Sequence, residues 1–233
     1  MYLFYVPEID QRWELDEEES QHCVRVLRLS VGDEILLTNG KGSTYQARIT
    51  NPHPKHCAFE VLSSEQQVNK RPYRLHVAIA PTKNIDRLEW MVEKCTEIGV
   101  DEITPLLCRF SERKVIKPER LHKIIVSAAK QSLKAYMPVL HDMCTFDEFI
   151  SHTFCEQRFI AHCYKDKKRL LQQELHPAAD VVVLIGPEGD FSEEEVMRAL
   201  AQGYVPVSLG ESRLRTETAG VVACHTVALI NQV

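Results

Sequence analysis

The spacing of apolar and polar positions changes period part-way along the chain. In the first part, Glu34–Thr38 and Ser43–Ile49 have strand character, and Asn39-Gly40-Lys41-Gly42 between them is a hairpin signal. A third strand, Ala58–Leu62, follows the breaker cluster Asn51-Pro52-His53-Pro54. Ahead of these, Asp16 is an N-cap candidate followed by three acids, and the helix it starts runs through Gln21, Val24 and Leu27. Short strands so spaced predict a small barrel over residues 1–70. The polar stretch SSEQQVNKRP, residues 63–72, is read as the boundary.

Over residues 71–233 strands and helices alternate, which predicts an α/β domain. Arg74–Ala80 alternates as a strand; Ile85, Leu88, Val92 and Cys95 then keep helical spacing between an Asn84 N-cap and a stop at Gly99. Strand Ile103–Leu107 precedes a helix that opens on Pro118 and buries Leu121, Ile124, Ile125 and Ala128. A short helix near Phe146–His152, strand Arg158–His162 and a polar helix near Lys167–Leu175 follow. The run Val181–Ile185 is continuously apolar, as in a parallel strand covered by helices on both faces. Helix Glu193–Ala201, strand Val205–Leu209 and a helix from about Thr218 to Ile230 complete the pattern.

Charge changes this picture locally. The chain has a net charge of −5, which disfavours a wholesale polyanion binder, yet Arg109 to Lys134 carries eight basic residues against two acids. That surplus suits either a solvated helix face or a surface that tracks phosphates. No stretch approaches the roughly 18 apolar residues of a membrane span, and MYLFYVPEIDQRW lacks the basic and apolar regions of a secretory signal, so a cytoplasmic protein is expected. The eight cysteines are then read as reduced and mostly buried; they form no C-x-x-C pair, and no metal is expected.

Several catalytic signatures are missing. NGKGS at residues 39–43 joins two strands and lacks the P-loop Gly-Lys-Ser/Thr order; G-x-G-x-x-G and G-x-S-x-G are absent. Two loops near the C-terminus remain. Gly186-Pro187-Glu188-Gly189-Asp190 leaves the buried strand and enters a helix with a Ser192/Glu195 capping box. It is either a tight turn or a place where glycines let backbone approach a ligand. Leu209 to Ala219, LGESRLRTETA, again joins a strand to a helix and sets charged groups beside Leu214; partly buried charges need partners or a ligand.

GPEGDFSEEE, SLG and LRTETA, with KNIDRLEWMVEKCTEIGV at residues 83–100, resemble the RsmE branch of the SPOUT methyltransferases. HCVRVLRLSVGDEI and NGKGSTYQARI resemble that family's RNA-binding PUA-like barrel, so the likeness spans nearly the whole chain. The resemblance implies a parallel sheet with a C-terminal trefoil knot, S-adenosylmethionine bound in a bent shape, and a homodimer with shared active sites. It implies methylation of uridine N3 in 16S ribosomal RNA, free or in the small ribosomal subunit. By motif the cofactor falls to Leu184, Ile185, Gly186, Pro187, Glu188, Gly189, Leu209, Gly210, Leu214 and Thr216. RNA contacts fall to Arg25, Arg28 and Lys41 of the barrel and to Arg109, Arg113 and Lys114. The chain departs from the family at Asp190, where glycine is usual, and at Ser212 and Arg213, which replace an arginine and an apolar residue of GPRILR. Arg215 is then the better-aligned arginine, expected to stabilise the uracil anion. Glu217 is a base or orienting group, or else a charge at a helix start. The competing readings are a non-catalytic RNA-binding protein of ribosome assembly and a metal-independent nucleotide hydrolase.

Overall fold

A computed structural model describes residues 2–66, 71–152, 155–164 and 168–232. The chain divides into two compact units, one of residues 1–70 with 126–137, the other of residues 71–125 with 138–233.

In the first unit, β1 (Leu3–Tyr5), β2 (Glu34–Thr38), β3 (Ser43–Asn51) and β4 (Ala58–Gln66) form a sheet in that order, β1 parallel to β2 and the others antiparallel. Glu14 bridges to Ala58, adding a short antiparallel segment on the far side of β4. Register shifts at Gln46/Ala47 and Ile49/Asn51 mark bulges, which bend paired strands. One face of the sheet closes on Phe4, Ile35, Leu37, Ala47, Ile49 and Phe59, together with Leu15 and Cys23.

Two expectations need correcting here, and one strand carries no sequence signal. The first helix is only α1 (Glu17–Gln21); although Asp16 caps it through Glu19 N at 2.8 Å, it passes into a π-helical turn at His22–Val26. β1 escaped notice because three residues are too short for a period. β4 continues to Gln66, into the stretch read as a boundary, because pairing with Ser43–Gln46 supports an exposed polar strand that carries no burial signal. Of that stretch, residues 67–70 lie outside the described residues.

The second unit is α/β. Its strands are β5 (Leu75–Ile79), β6 (Glu102–Leu107), β7 (Val139–Leu140), β8 (Cys144–Thr145), β9 (Gln157–Ala161), β10 (Arg169–Leu170), β11 (Val181–Ile185) and β12 (Val205–Ser208). They order as β10-β12-β9-β11-β5-β6-β7, with β8 also on β6, and all pair parallel. Its helices are α2 (Ile85–Ile98), most of α3 (Pro118–Gln131), α4 (Phe146–His152), α5 (Leu171–Glu174), α6 (Glu193–Ala201) and α7 (Thr216–Ile230).

Both faces of the sheet are covered, which is why every residue of β11 is buried. Ala78, Ile160, Val182 and Leu184 pack with Phe149 of α4 and Val196 and Ala199 of α6. On the other face Gly220 of α7 meets Met91 of α2 and Ile79 of β5, its missing side chain letting the three elements close. Helix ends follow their local signals: Asn84 Oδ1 accepts from Asp86 N at 3.1 Å, and Gly99 ends α2 at φ 114°, where a side chain would be strained. The polar helix expected over Lys167–Leu175 shrinks to β10 and α5, since Arg169 and Leu170 pair with Val207 and Ser208; Lys167 lies outside the described residues. No helix among the described residues is long and apolar enough to cross a membrane.

Candidate active site

Parallel strands bring their carboxyl ends to one edge of a sheet, where open α/β sheets bind ligands. Beyond the ends of β12, β9 and β11 open two adjoining cavities of about 620 and 310 Å³. The larger is lined by His162, Cys163, Tyr164 and Lys168 after β9 and by residues 207–214; the smaller by residues 185–190 and 213–216. Asp190, Arg213 and Leu214 border both, so the two are compartments of one cleft.

Hydrogen bonds fix its walls. Asp190 sits at φ 67°, in the left-handed region; its Oδ2 accepts from Cys163 N at 2.7 Å and its Oδ1 from Phe191 N at 2.8 Å. The carboxylate thus ties the loop after β9 to the loop after β11. Tyr164 donates to Phe191 O at 2.7 Å, and Lys168 donates to Tyr164 O with its ammonium 3.2 Å from His162 Nδ1. Gly210, at φ 130°, exchanges hydrogen bonds with the Ser208 hydroxyl at 3.0 and 3.2 Å. Glu188 accepts from Lys83 N at 2.9 Å, and Arg113 donates to Thr82 O at 3.0 Å and to Lys83 O at 2.6 Å, so a third loop, after β5, is held as well. Burial and then the Asp190 carboxylate push the Cys163 thiol above its ordinary range, which argues against thiolate chemistry.

Of the residues assigned by motif, Ile185, Gly186, Pro187, Glu188, Gly189, Leu209, Gly210, Leu214, Thr216 and Arg215 line the cleft. Leu184 does not. Strand alternation turns it to the opposite face, into the core with Ile160 and Phe191. Glu217 is also absent from the lining: its carboxylate, 10% exposed, faces Arg87 of α2 at 3.8 Å. The segment after β9 was missed because no familiar motif marks it. The carboxyl-end rule, applied to β9 as well as to β11 and β12, would have found His162 to Tyr164.

A family profile described as an RNA methyltransferase domain matches residues 69–228, and one described as an RNA methyltransferase PUA domain matches residues 15–62. The chain is 31% identical over 219 residues to ribosomal RNA small subunit methyltransferase E of Synechocystis, covering 90% of this chain and 70% of that protein. The chain belongs to the ribosomal RNA small subunit methyltransferase E family.

Among solved structures, a "probable rRNA-methyltransferase" of Porphyromonas gingivalis superposes with a TM-score of 0.94 at 44% identity, covering 99% of this chain and 98% of that one. The ribosomal RNA small subunit methyltransferase E of Neisseria gonorrhoeae, bound to S-adenosylmethionine, gives 0.86 at 28% identity over 99% and 98%. In this member of the methyltransferase E family the PUA-like unit presents Arg25, Arg28 and Lys41 as exposed side chains. In the second unit Arg109 is paired with Glu194, Arg113 is spent on the two carbonyls, and Arg120 pairs with Glu89, while Lys114 and Lys117 are exposed. Within the first unit Lys130 pairs with Glu19. The basic surplus read from the sequence is therefore partly neutralised, and Arg113 serves the protein's own backbone.

Proposed function

We propose that the chain transfers a methyl group from S-adenosylmethionine to N3 of a uridine in 16S ribosomal RNA, acting on the RNA or the small ribosomal subunit in the cytoplasm. The observation that carries this reading is the two-compartment cleft at the carboxyl ends of β9, β11 and β12, walled by both motif loops. The residues present fit the cofactor. Ala161, Leu209, Leu214 and Ala219 give apolar wall, and α7 opens at the smaller compartment with no side-chain capping bond from Arg215, so its first amides can meet a polar ligand edge. Bound S-adenosylmethionine supplies an electrophilic methyl on a positively charged sulfur.

Uridine N3 carries a proton that must pass to solvent water in the open cleft before the N3 lone pair can take the methyl, so the enzyme must favour the anion left behind. Arg215, an exposed cation lining the smaller compartment, is assigned to hold negative charge on the uracil oxygens. Arg213 borders both compartments and is assigned to the RNA. Glu217 is assigned the orienting role: through Arg87 it steadies the start of α7, and its position off the cleft lining argues against its acting as the base. Domain assignment follows the same reading, residues 1–70 binding RNA with Arg25, Arg28 and Lys41, and residues 71–233 binding cofactor and adding Arg109 and Lys114. A trefoil knot and a homodimer complete it; light scattering of the purified protein checks the latter.

The test is transfer of labelled methyl from S-adenosylmethionine to 16S RNA and to small subunits, with mass mapping of the product. Labelled N3-methyluridine is expected. Absence of S-adenosylmethionine binding would return the chain to a non-catalytic RNA-binding role, and binding without transfer to either RNA would overturn the substrate assignment.

A further inference from the structure

A cluster of metal-ligating groups lies at the opposite end of the sheet from the cleft. His76 and Glu102 are register partners near the amino ends of β5 and β6, so their side chains leave one face of the sheet side by side. His141 follows β7, and its N–H donates to Ile103 O at 2.9 Å, which brings it beside Glu102. His141 Nε2 is 2.7 Å from Glu102 Oε2, and His76 Nδ1 is 3.9 Å from the same oxygen. One ligand atom from each residue lies within 4.8 Å of the others. Tetrahedral bonds of about 2.0–2.2 Å put neighbouring ligand atoms about 3.3 Å apart, inside the observed range, so small side-chain rotations suffice.

The surroundings match a metal site in two further respects. His76 Nε2 is 2.7 Å from the buried Thr104 hydroxyl. A ring whose Nε2–H donates there turns the Nδ1 lone pair toward Glu102, the outer hydrogen bond that metal-binding histidines usually make. His76 and Glu102 also border a cavity of about 280 Å³, which leaves room for a water or another ligand. Arg74 lies 3.8 Å from Glu102, but its charge is offset by Asp180 at 2.8 Å.

We propose that His76, Glu102 and His141 bind a divalent transition-metal ion, Zn2+ by the chemistry of two imidazoles and one carboxylate, with an open coordination position facing the cavity. Such a donor set suits Zn2+, Co2+ or Ni2+ and is a poor one for Mg2+ or Ca2+, which take oxygen ligands. Because His76 and Glu102 lie on β5 and β6 and His141 directly follows β7, the ion ties the end of the short edge strand β7 to β5 and β6. The inference replaces the sequence-based expectation of no metal, which rested on local spacing; Glu102 and His141 are 39 residues apart.

The test is calorimetric titration of EDTA-treated protein with Zn2+, and with Co2+ followed by its visible absorption. Binding of a single ion per chain, tetrahedral-type Co2+ bands and a higher melting temperature with Zn2+ are expected. His141→Gln, at a ligand 42% exposed, should fold and should weaken Zn2+ binding at least tenfold. Unchanged S-adenosylmethionine affinity in that variant verifies its fold. His53 and His56 stack on each other in the first unit and could take a stray ion; a double change of both to Gln should leave the Zn2+ affinity unaltered. Absence of Zn2+ binding, or equal affinity in His141→Gln and the unmodified protein, overturns the proposal.

Discussion

Asp190→Ala is the substitution whose effect the geometry defines best. The change removes two carboxylate acceptors, one for Cys163 N and one for Phe191 N, and leaves a β-carbon at φ 67°. Hydrogen bonds to a charged acceptor contribute about 1.5–3 kcal/mol each when protected; with the Cys163 amide near solvent, about 1 kcal/mol is the better value for that one. Alanine tolerates the left-handed region less well than aspartate, adding about 1 kcal/mol. Together these give a loss of about 3.5–5 kcal/mol, or a fall in melting temperature of about 7–20 °C for a protein of this size. Asp190→Gly loses the same hydrogen bonds but not the backbone conformation, so it should be less damaging by about 1 kcal/mol. Because the carboxylate ties two walls of the cleft, S-adenosylmethionine affinity should fall about tenfold in Asp190→Ala, and less in Asp190→Gly. Thermal unfolding and calorimetry on the three proteins decide. An Asp190→Ala protein with unchanged melting temperature and cofactor affinity, or one more stable than Asp190→Gly, would refute the reasoning.

Gly186→Ala would put a methyl 3.1 Å from the backbone N of Phe191 and from its ring, neither free to move, and should cost about 1–3 kcal/mol in thermal unfolding. Gly189→Ala presses only on half-exposed Phe110, its Cβ at 3.1 Å with Cγ and the backbone O at 3.7 and 3.9 Å, so its melting temperature should fall less than that of Gly186→Ala while cofactor affinity falls; unchanged affinity would make this glycine structural only. Lys114→Gln should lower the salt slope of RNA binding by about one unit, whereas Arg113→Gln should act mainly through cofactor affinity by loosening Thr82 and Lys83; the reverse pattern in salt titrations would contradict the assignment. Arg215→Ala should lower single-turnover methyl transfer about a hundredfold with cofactor affinity nearly intact. A large drop in Arg213→Ala instead would move the charge-stabilising role to that side chain.

Local chemistry encodes part of this fold residue by residue. Asn84 and Gly99 delimit α2, Ser192 and Glu195 start α6, and the unbroken run Val181–Ile185 announces a strand buried on both faces. Each depends on neighbours within a few residues, so each is readable in one dimension. The motif loops were readable too, because glycines and charges between a strand and a helix stand out from either period. Tertiary structure decided the rest, wherever a side chain had to choose among distant partners. Arg113 belonged to a charge run, yet its guanidinium goes to carbonyls some thirty residues away. Leu184 shares its motif with Ile185, yet alternation sends it to the core. Asp190 stood out only as a departure from a pattern; the contact that explains it, to Cys163, exists because β9 and β11 are neighbours in the sheet. His76, Glu102 and His141 lack any shared spacing and meet only through the register of β5, β6 and β7, since parallel pairing aligns residues by strand position and not by distance along the chain.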